Sequence, residues 1–253
     1  MTARLEGKVA LVTGATSNIG KGVAIAMAAE GASVVVAGRD AARGAQVVNL
    51  IEAAGGRAAF VAADLDGSAA RSAQLAADAA AAFGPVTVLV NNAGIYPPDG
   101  TLATQEDTFD RVFAVNVKAP FFLTAAVVPG MVEAGGGVII NLGSWIARLG
   151  VPKGAVYGAT KGALETLTRT WAAEFGAQGI RVNALSPGVV FDDPGDAPAA
   201  AEAAMVTTPA GKPGAPADIA AAAVYLASDE AAFVHGAVID IDGGRSNVFT
   251  TAR

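Results

Sequence analysis

Short apolar runs alternate with helix-like stretches along almost the whole chain, and few architectures accept that order. The runs cover residues 9–12, 33–37, 59–62, 86–90, 138–141, 181–185 and 238–241. They are continuous and rich in β-branched residues, as expected for strands buried on both faces. Helical patterns lie between them over 19–30, 41–54, 68–83, 104–133, 155–176 and 216–228. Repeated strand–helix–strand units join through right-handed crossovers into a parallel sheet with helices on both sides. No Pro/Ser-rich linker divides the 253 residues, so a single α/β domain over 1–253 is expected. Ligands of such sheets bind beyond the carboxyl ends of the strands. Each polar motif of this chain follows a strand.

Composition narrows the partners. The chain is 53% hydrophobic, much of it alanine, and only 16% charged, which suits tightly packed helices. The most apolar windows are broken by Gly, Pro, Asn or charge, so no membrane span is expected. Residues 1–8 are polar and run into the first strand, unlike a signal peptide, and a cytoplasmic location is the default expectation. Zero cysteines exclude disulfides and thiolate metal sites. A net charge of −6 without a basic run argues against nucleic acid as a partner.

Thr13-Gly14-Ala15-Thr16-Ser17-Asn18-Ile19-Gly20 follows the first strand and opens the first helix. Small residues there let backbone N–H groups and the positive end of a helix approach a pyrophosphate. Asn18 stands where glycine is expected, and asparagine is the residue that best tolerates positive φ after glycine. Gly38-Arg39-Asp40 ends the second strand, the end that faces an adenosine ribose. Gly38 leaves space and Arg39 supplies positive charge, which favours a 2′-phosphate and hence NADP(H), with NAD(H) as the alternative. Asp64 and Leu65 after the third strand are candidates for adenine, and Asn92, Ala93 and Gly94 after the fourth for a cofactor-touching turn. Asn116 interrupts a long helical pattern, where it would bend the helix and hold a water or be a satisfied core amide.

Tyr157 and Lys161 are four residues apart in a helical pattern, so they share a face, with Ser144 thirteen residues upstream. A tyrosine titrates near ~10, and a fixed ammonium beside it favours the phenolate. Ser144 is placed to hold a substrate oxygen. His235, the one histidine of the chain, reads as structural, as do Trp171 and Phe175. Between Pro187 and Pro216 periodicity fails amid several prolines, Asp192, Asp193 and Asp196. That stretch is expected to form a lid at about 189–215.

Together these motifs, in this order from Lys8 to Gly244 and closing with Ser186-Pro187-Gly188, resemble the short-chain dehydrogenase/reductase family. The resemblance implies a single Rossmann-type domain, with a seven-stranded parallel sheet and helices on both faces. It implies Tyr157 as general acid and base, and Ser144 on the reacting oxygen. Lys161 would sit on the nicotinamide ribose and lower the Tyr157 pKa, and Asn116 would position a water behind Lys161. Cofactor contacts would come from Gly14, Ser17, Asn18, Ile19, Gly20, Arg39, Asp64, Leu65, Asn92, Ala93, Gly94, Pro187, Gly188 and Val190. No metal is implied. Family members pair two long helices between subunits, so a homotetramer is expected, built here on 104–133 and 155–176.

Two departures stand out. Asn18 replaces the middle glycine, and Asp192 stands where the family has a threonine that helps hold the cofactor. A carboxylate near a pyrophosphate repels it unless it is paired. The family's fatty-acid reductases grip an acidic carrier with basic residues, where this chain has Glu133-Ala134-Gly135-Gly136-Gly137 and Ala173. A small neutral ketone or secondary alcohol, aromatic or cyclic ones included, is therefore expected, in a pocket lined by Tyr96, Pro97, Trp145, Ile146 and Val151. The alternatives are an NAD(H)-dependent sugar or polyol dehydrogenase and a catalytically silent cofactor-binding protein.

Overall fold

A computed structural model of the chain describes residues 3–192 and 198–248. Seven strands form one parallel sheet: β1 Val9–Thr13, β2 Ser33–Gly38, β3 Arg57–Ala62, β4 Val88–Asn91, β5 Gly137–Leu142, β6 Ile180–Pro187 and β7 Val238–Ile241, in the order β3-β2-β1-β4-β5-β6-β7. The order reverses between β1 and β4. That leaves a crevice at their carboxyl ends, because the crossovers leaving β1 and β4 depart in opposite directions.

The helices are α1 Asn18–Ala29, α2 Ala41–Ala53, α3 Ala69–Phe83, α4 Glu106–Phe113, α5 Ala119–Glu133, α6 Ala155–Phe175, α7 Ala199–Met205 and α8 Pro216–Ala227. Alternation along the strands divides the core into two layers. Ala10, Val12, Val34 and Val36 point toward α1, α2 and α8. Leu11, Val35, Leu89 and Ile139 point toward α3, α5 and α6. The central strands are covered on both faces, as their unbroken apolar character requires, while the edge strands β3 and β7 are only half-buried. Trp171 is buried in the second layer with Phe175 packed against it, as expected of packing residues. His235 lies beside Gly176, past the end of α6 remote from Tyr157.

Three differences from the sequence reading are local. The helical pattern over 104–133 holds a π turn at Ala114–Lys118 between α4 and α5, centred on Asn116. The continuous helix over 106–133 is, contrary to expectation, long and apolar enough to cross a membrane by length and composition. Half of its apolar window is nevertheless buried in the fold, as in a core helix. The supposedly aperiodic stretch contains α7, an alanine-rich helix with high intrinsic propensity. Asp193, Asp196 and the rest of 193–197 within the expected lid lie outside the described residues.

Candidate active site

The carboxyl ends of β1 and β4 are locked together by polar contacts. The Thr13 hydroxyl donates to the Val90 carbonyl at 3.1 Å and accepts from the N–H groups of Asn92 and Ala93, each at 3.0 Å. The Asn92 amide donates to the Thr13 and Gly14 carbonyls at 2.8 and 3.2 Å. A Cβ at Gly20 would lie 2.4 Å from the Gly14 carbonyl oxygen, so the turn closes only without a side chain there. Asn18 takes φ 45°, the one non-glycine residue with positive φ among those described, as its substitution for glycine demands. The Ser17 side chain does not cap α1, and the first turn carries no acidic residue. That helix end is left with its positive partial charge for an anion.

These elements border a cleft of about 430 Å³. Its wall contains Gly14, Ser17, Asn18, Ile19, Gly20, Arg39, Asp64, Leu65, Asn92, Ala93, Gly94, Ser144, Tyr157, Lys161, Pro187 and Gly188, which joins nearly all the expected cofactor positions in one place. Val190 is not part of this wall and instead pairs with Gly214. Asp192 is also outside it, with its carboxylate 3.3 Å from the Lys21 ammonium, so the odd acidic residue is paired. Tyr96 lines the cleft, but Trp145, Ile146 and Val151 do not. Trp145 is covered by the Arg245 guanidinium, 4.1 Å from the ring centroid, and Ile146 lies against Gly158 of α6.

One end of the cleft is lined by Arg39, Asp40, Arg43, Asp64 and Arg111. The Asp40 carboxylate caps α2, accepting from the Arg43 N–H at 3.0 Å and Nε at 2.7 Å, and these bonds hold it below the usual carboxylate range. Asp64 meets Arg111 at 3.4 Å. Arg39 has no hydrogen-bond or ion-pair partner among the described residues. A Cβ at Gly38 would lie 2.6 Å from the Thr16 side chain, so no acidic side chain has room there. The sequence offered no signal for Arg43 or Arg111, whose places depend on how α2 and α4 dock.

The other end holds Ser144, Tyr157 and Lys161. Ser144 caps the 3₁₀ turn Trp145–Ala147, its Oγ accepting from the Ile146 N–H at 3.3 Å, and its hydroxyl lowers the pKa of the Tyr157 phenol that lines the same cleft. The Tyr96 ring meets the Tyr157 ring edge-on, centroids 4.8 Å apart. Lys161 is buried, its Nζ donating to the Leu142 carbonyl at 2.6 Å and lying 5.5 Å from the Tyr157 ring centroid. Burial pulls its pKa from 10.5 to about 8. The expected lowering of the Tyr157 pKa by Lys161 is not met in this arrangement. Burial raises the phenol pKa, Ser144 partly offsets that, and Tyr96 adds to the rise. The reason is geometric: the ammonium is directed at a backbone carbonyl rather than at the phenolic oxygen.

Asn116 is buried behind this end. Its Oδ1 accepts from the Ile95 N–H at 2.9 Å, and its Nδ2 donates to the Ile95 carbonyl at 3.0 Å and the Thr160 hydroxyl at 3.1 Å. Beneath lies a buried polar ladder, in which Asn91 donates to Asn141 at 2.9 Å and Asn141 to Thr168 at 2.9 Å. It ties β4, β5 and α6 together. Thr13 was read only as the start of the glycine turn, and Thr160, Asn141 and Thr168 were not singled out from sequence, since single polar residues in strands and helices carry no mark of their partners.

A family model described as enoyl-(acyl carrier protein) reductase matches residues 14–246. A galactitol 2-dehydrogenase (L-tagatose-forming) of Cereibacter sphaeroides is 42% identical over 247 residues, covering 95% of this chain and 96% of its own. A solved structure described as a short chain dehydrogenase/reductase family protein is 47% identical with TM-score 0.87, covering 97% of this chain and 100% of its own. A second, described as a putative 2-deoxy-D-gluconate 3-dehydrogenase from Agrobacterium tumefaciens with bound NADP, is 36% identical with TM-score 0.87, covering 96% and 98%.

Proposed function

The chain belongs to the short-chain dehydrogenase/reductase family, and on that premise we propose that it is an NADP(H)-dependent oxidoreductase interconverting a ketone and a secondary alcohol. The observation that carries the cofactor preference is the unpaired Arg39 guanidinium. Both carboxylates at that end are occupied, Asp40 by Arg43 and Asp64 by Arg111. A ribose 2′-hydroxyl therefore meets no free carboxylate, whereas a 2′-phosphate meets a free fork of N–H donors. The cleft fits the rest of a dinucleotide: an uncapped helix N-terminus for the pyrophosphate and a turn too tight for side chains.

When bound, the nicotinamide supplies or accepts the hydride at carbon. The chain's own residues handle the oxygen. Ser144 and Tyr157 line the same end of the cleft, so one substrate oxygen placed between them is held by the serine and receives its proton from the phenol. Lys161 sits one helical turn below and lines the cleft, and it would hold the ribose hydroxyls of a bound dinucleotide, leaving the Leu142 carbonyl to do so. Both amide protons of Asn116 are already used, so its water-holding role falls to its Oδ1 or to a carbonyl of the π turn.

The polyol named for one relative and the sugar acid named for one structural neighbour support a small hydroxylated ketone or its alcohol as substrate. They equally favour a polyol or sugar dehydrogenase, as in the second reading, although the neighbour named for the sugar acid is described with NADP bound rather than NAD. No basic anchor for a carrier protein stands at Glu133 or Ala173. A panel of ketones, polyols and sugar acids, assayed with NADPH, NADP⁺, NADH and NAD⁺, tests the proposal. Turnover confined to the phosphorylated pair, abolished in Tyr157→Phe, is the expected result. A clear preference for NADH overturns the Arg39 argument. Cofactor binding without turnover across the panel points to a silent binding protein. A homotetramer is proposed as well, and sedimentation showing only monomer at micromolar concentration refutes it.

A further inference from the structure

Glu165 is a buried carboxylate with an oxygen that accepts no hydrogen bond, and nothing in the reaction above uses it. Burial raises its pKa, so its charge is held there at a cost that only a partner offsets. It lies two turns along α6 from Tyr157 and one from Lys161, on the same helical face. Its Oε1 is 3.6 Å from the Arg148 Nε and packs under Gly143, the residue before Ser144. Arg148 in turn grips Asp240 of β7 with both terminal nitrogens, one at 2.9 Å and the other closer. Asp240 is further held by Asn247 at 2.6 Å.

Arg148 ends the short 3₁₀ turn that Ser144 begins. The turn is thus pinned at both ends. At its start the Ser144 oxygen accepts from the Ile146 N–H, which leaves its hydroxyl proton free to point at Tyr157. At its finish the guanidinium is tied to α6, which carries Tyr157 and Lys161, and to the edge strand β7.

The geometry points to Arg148 as a positioning residue that fixes the Ser144 turn relative to Tyr157 on α6 through its ion pairs with Asp240 and Glu165. The inference rests on the reading of Ser144 and Tyr157 as the acid–base pair. The groups facing the Tyr157 phenol are Ser144 from the turn, Tyr96 from the loop after β4 and Lys161 from α6. Those acting on the Arg148 cluster are Asp240, Asp242, Glu165 and Arg169. Loss of Arg148 releases the turn, moves Ser144 away from the phenol whose pKa it lowers, and so raises that pKa.

The test needs no substrate. The phenolate absorbance of the cofactor-free enzyme is titrated with pH, and Tyr157→Phe serves as the blank that isolates Tyr157 from the other two tyrosines. Arg148→Met, Ser144→Ala and the double variant are compared, with Arg148→Lys as the conservative control. In Arg148→Met and Ser144→Ala the midpoint is expected to move upward by similar amounts. The double variant adds nothing further, because both remove the same effect of Ser144 on the phenol, and Arg148→Lys restores part of the wild-type value. Asp240→Asn replaces Arg148→Met if the latter does not fold. An unchanged midpoint in a folded variant, or additive shifts in the double variant, overturns the proposal. With a substrate from the panel, Arg148→Met lowers kcat by about tenfold or more with KM for NADPH little changed. If the panel finds no substrate, the titration still decides on Arg148, so the two readings fail separately.

Discussion

The buried ammonium of Lys161 makes a quantitative demand on stability. Its pKa falls from 10.5 to about 8 because burial disfavours the charged form. Below pH ~8 the folded and unfolded chains both carry the proton, and the folded state bears the full penalty, about 3 kcal/mol at roughly 1.4 kcal/mol per pH unit. Between pH ~8 and ~10.5 the unfolded chain holds the proton and the folded chain does not, so the stability contributed by this site rises with pH. Integrated from pH 7 to pH 9.5, the gain is about 2 kcal/mol. The measurement is denaturant unfolding of the cofactor-free enzyme at both pH values, at one protein concentration, for wild type and for Lys161→Met. Other titrating groups cancel largely in the difference, since Lys161→Met keeps the shape of the side chain and leaves them in place. The wild type is expected to gain about 2 kcal/mol on the variant between the two pH values. A difference that stays constant with pH refutes the reasoning: the ammonium would then be hydrated or paired, and no penalty would exist to relieve.

Three further outcomes follow from the site. Arg39→Leu is expected to weaken NADPH binding by about 10- to 100-fold, the worth of a charge-assisted contact, and to leave NADH binding nearly unchanged; fluorescence titration with both cofactors reads this, and equal losses for the two would sink the 2′-phosphate assignment. Asp192→Thr is expected to tighten NADPH binding by less than about tenfold, because Lys21 already offsets the carboxylate, while unchanged affinity removes repulsion as an explanation. Gly20→Ala places a Cβ 2.4 Å from the Gly14 carbonyl oxygen and is expected to abolish cofactor binding with the sheet intact, read by calorimetry alongside far-ultraviolet circular dichroism.

The sheet was legible because each buried strand is an unbroken apolar run, and because the polar motifs fall where carboxyl ends must fall. Asn18 was legible too: a non-glycine residue in a glycine turn had to accept positive φ, and it does. The cluster of Arg148, Glu165 and Asp240 was not, because its members come from three elements and Arg148 meets Asp240 across 92 residues of sequence. Spacing along one helix can place Tyr157 and Lys161 on one face, but it cannot say where an ammonium will point, and here it points at Leu142. Trp145 and Ile146 were placed beside Ser144 by adjacency alone. Packing then turned one under Arg245 and the other against α6. The alanine-rich α7 was hidden by the prolines around it, which broke the window over which periodicity is read.

The direction of Lys161 bears on which way the reaction is primed. Reduction needs a neutral phenol to give a proton, and burial keeps Tyr157 neutral through the physiological range. Oxidation needs the phenolate, which requires a positive field at the phenolic oxygen. In the cofactor-free cleft that field is weak, since the ammonium is bonded to the Leu142 carbonyl and its own charge is penalised by burial. Ser144 is the one group that lowers the phenol pKa, and its effect is outweighed by burial. The base form therefore depends on what enters the cleft: hydroxyls that draw Lys161 off the carbonyl, and positive charge beside the phenol. The folded chain thus favours the protonated phenol, whereas the phenolate has to be populated by what enters the cleft with a dinucleotide, so an empty cleft holds Tyr157 in the form that cannot take a proton from an alcohol.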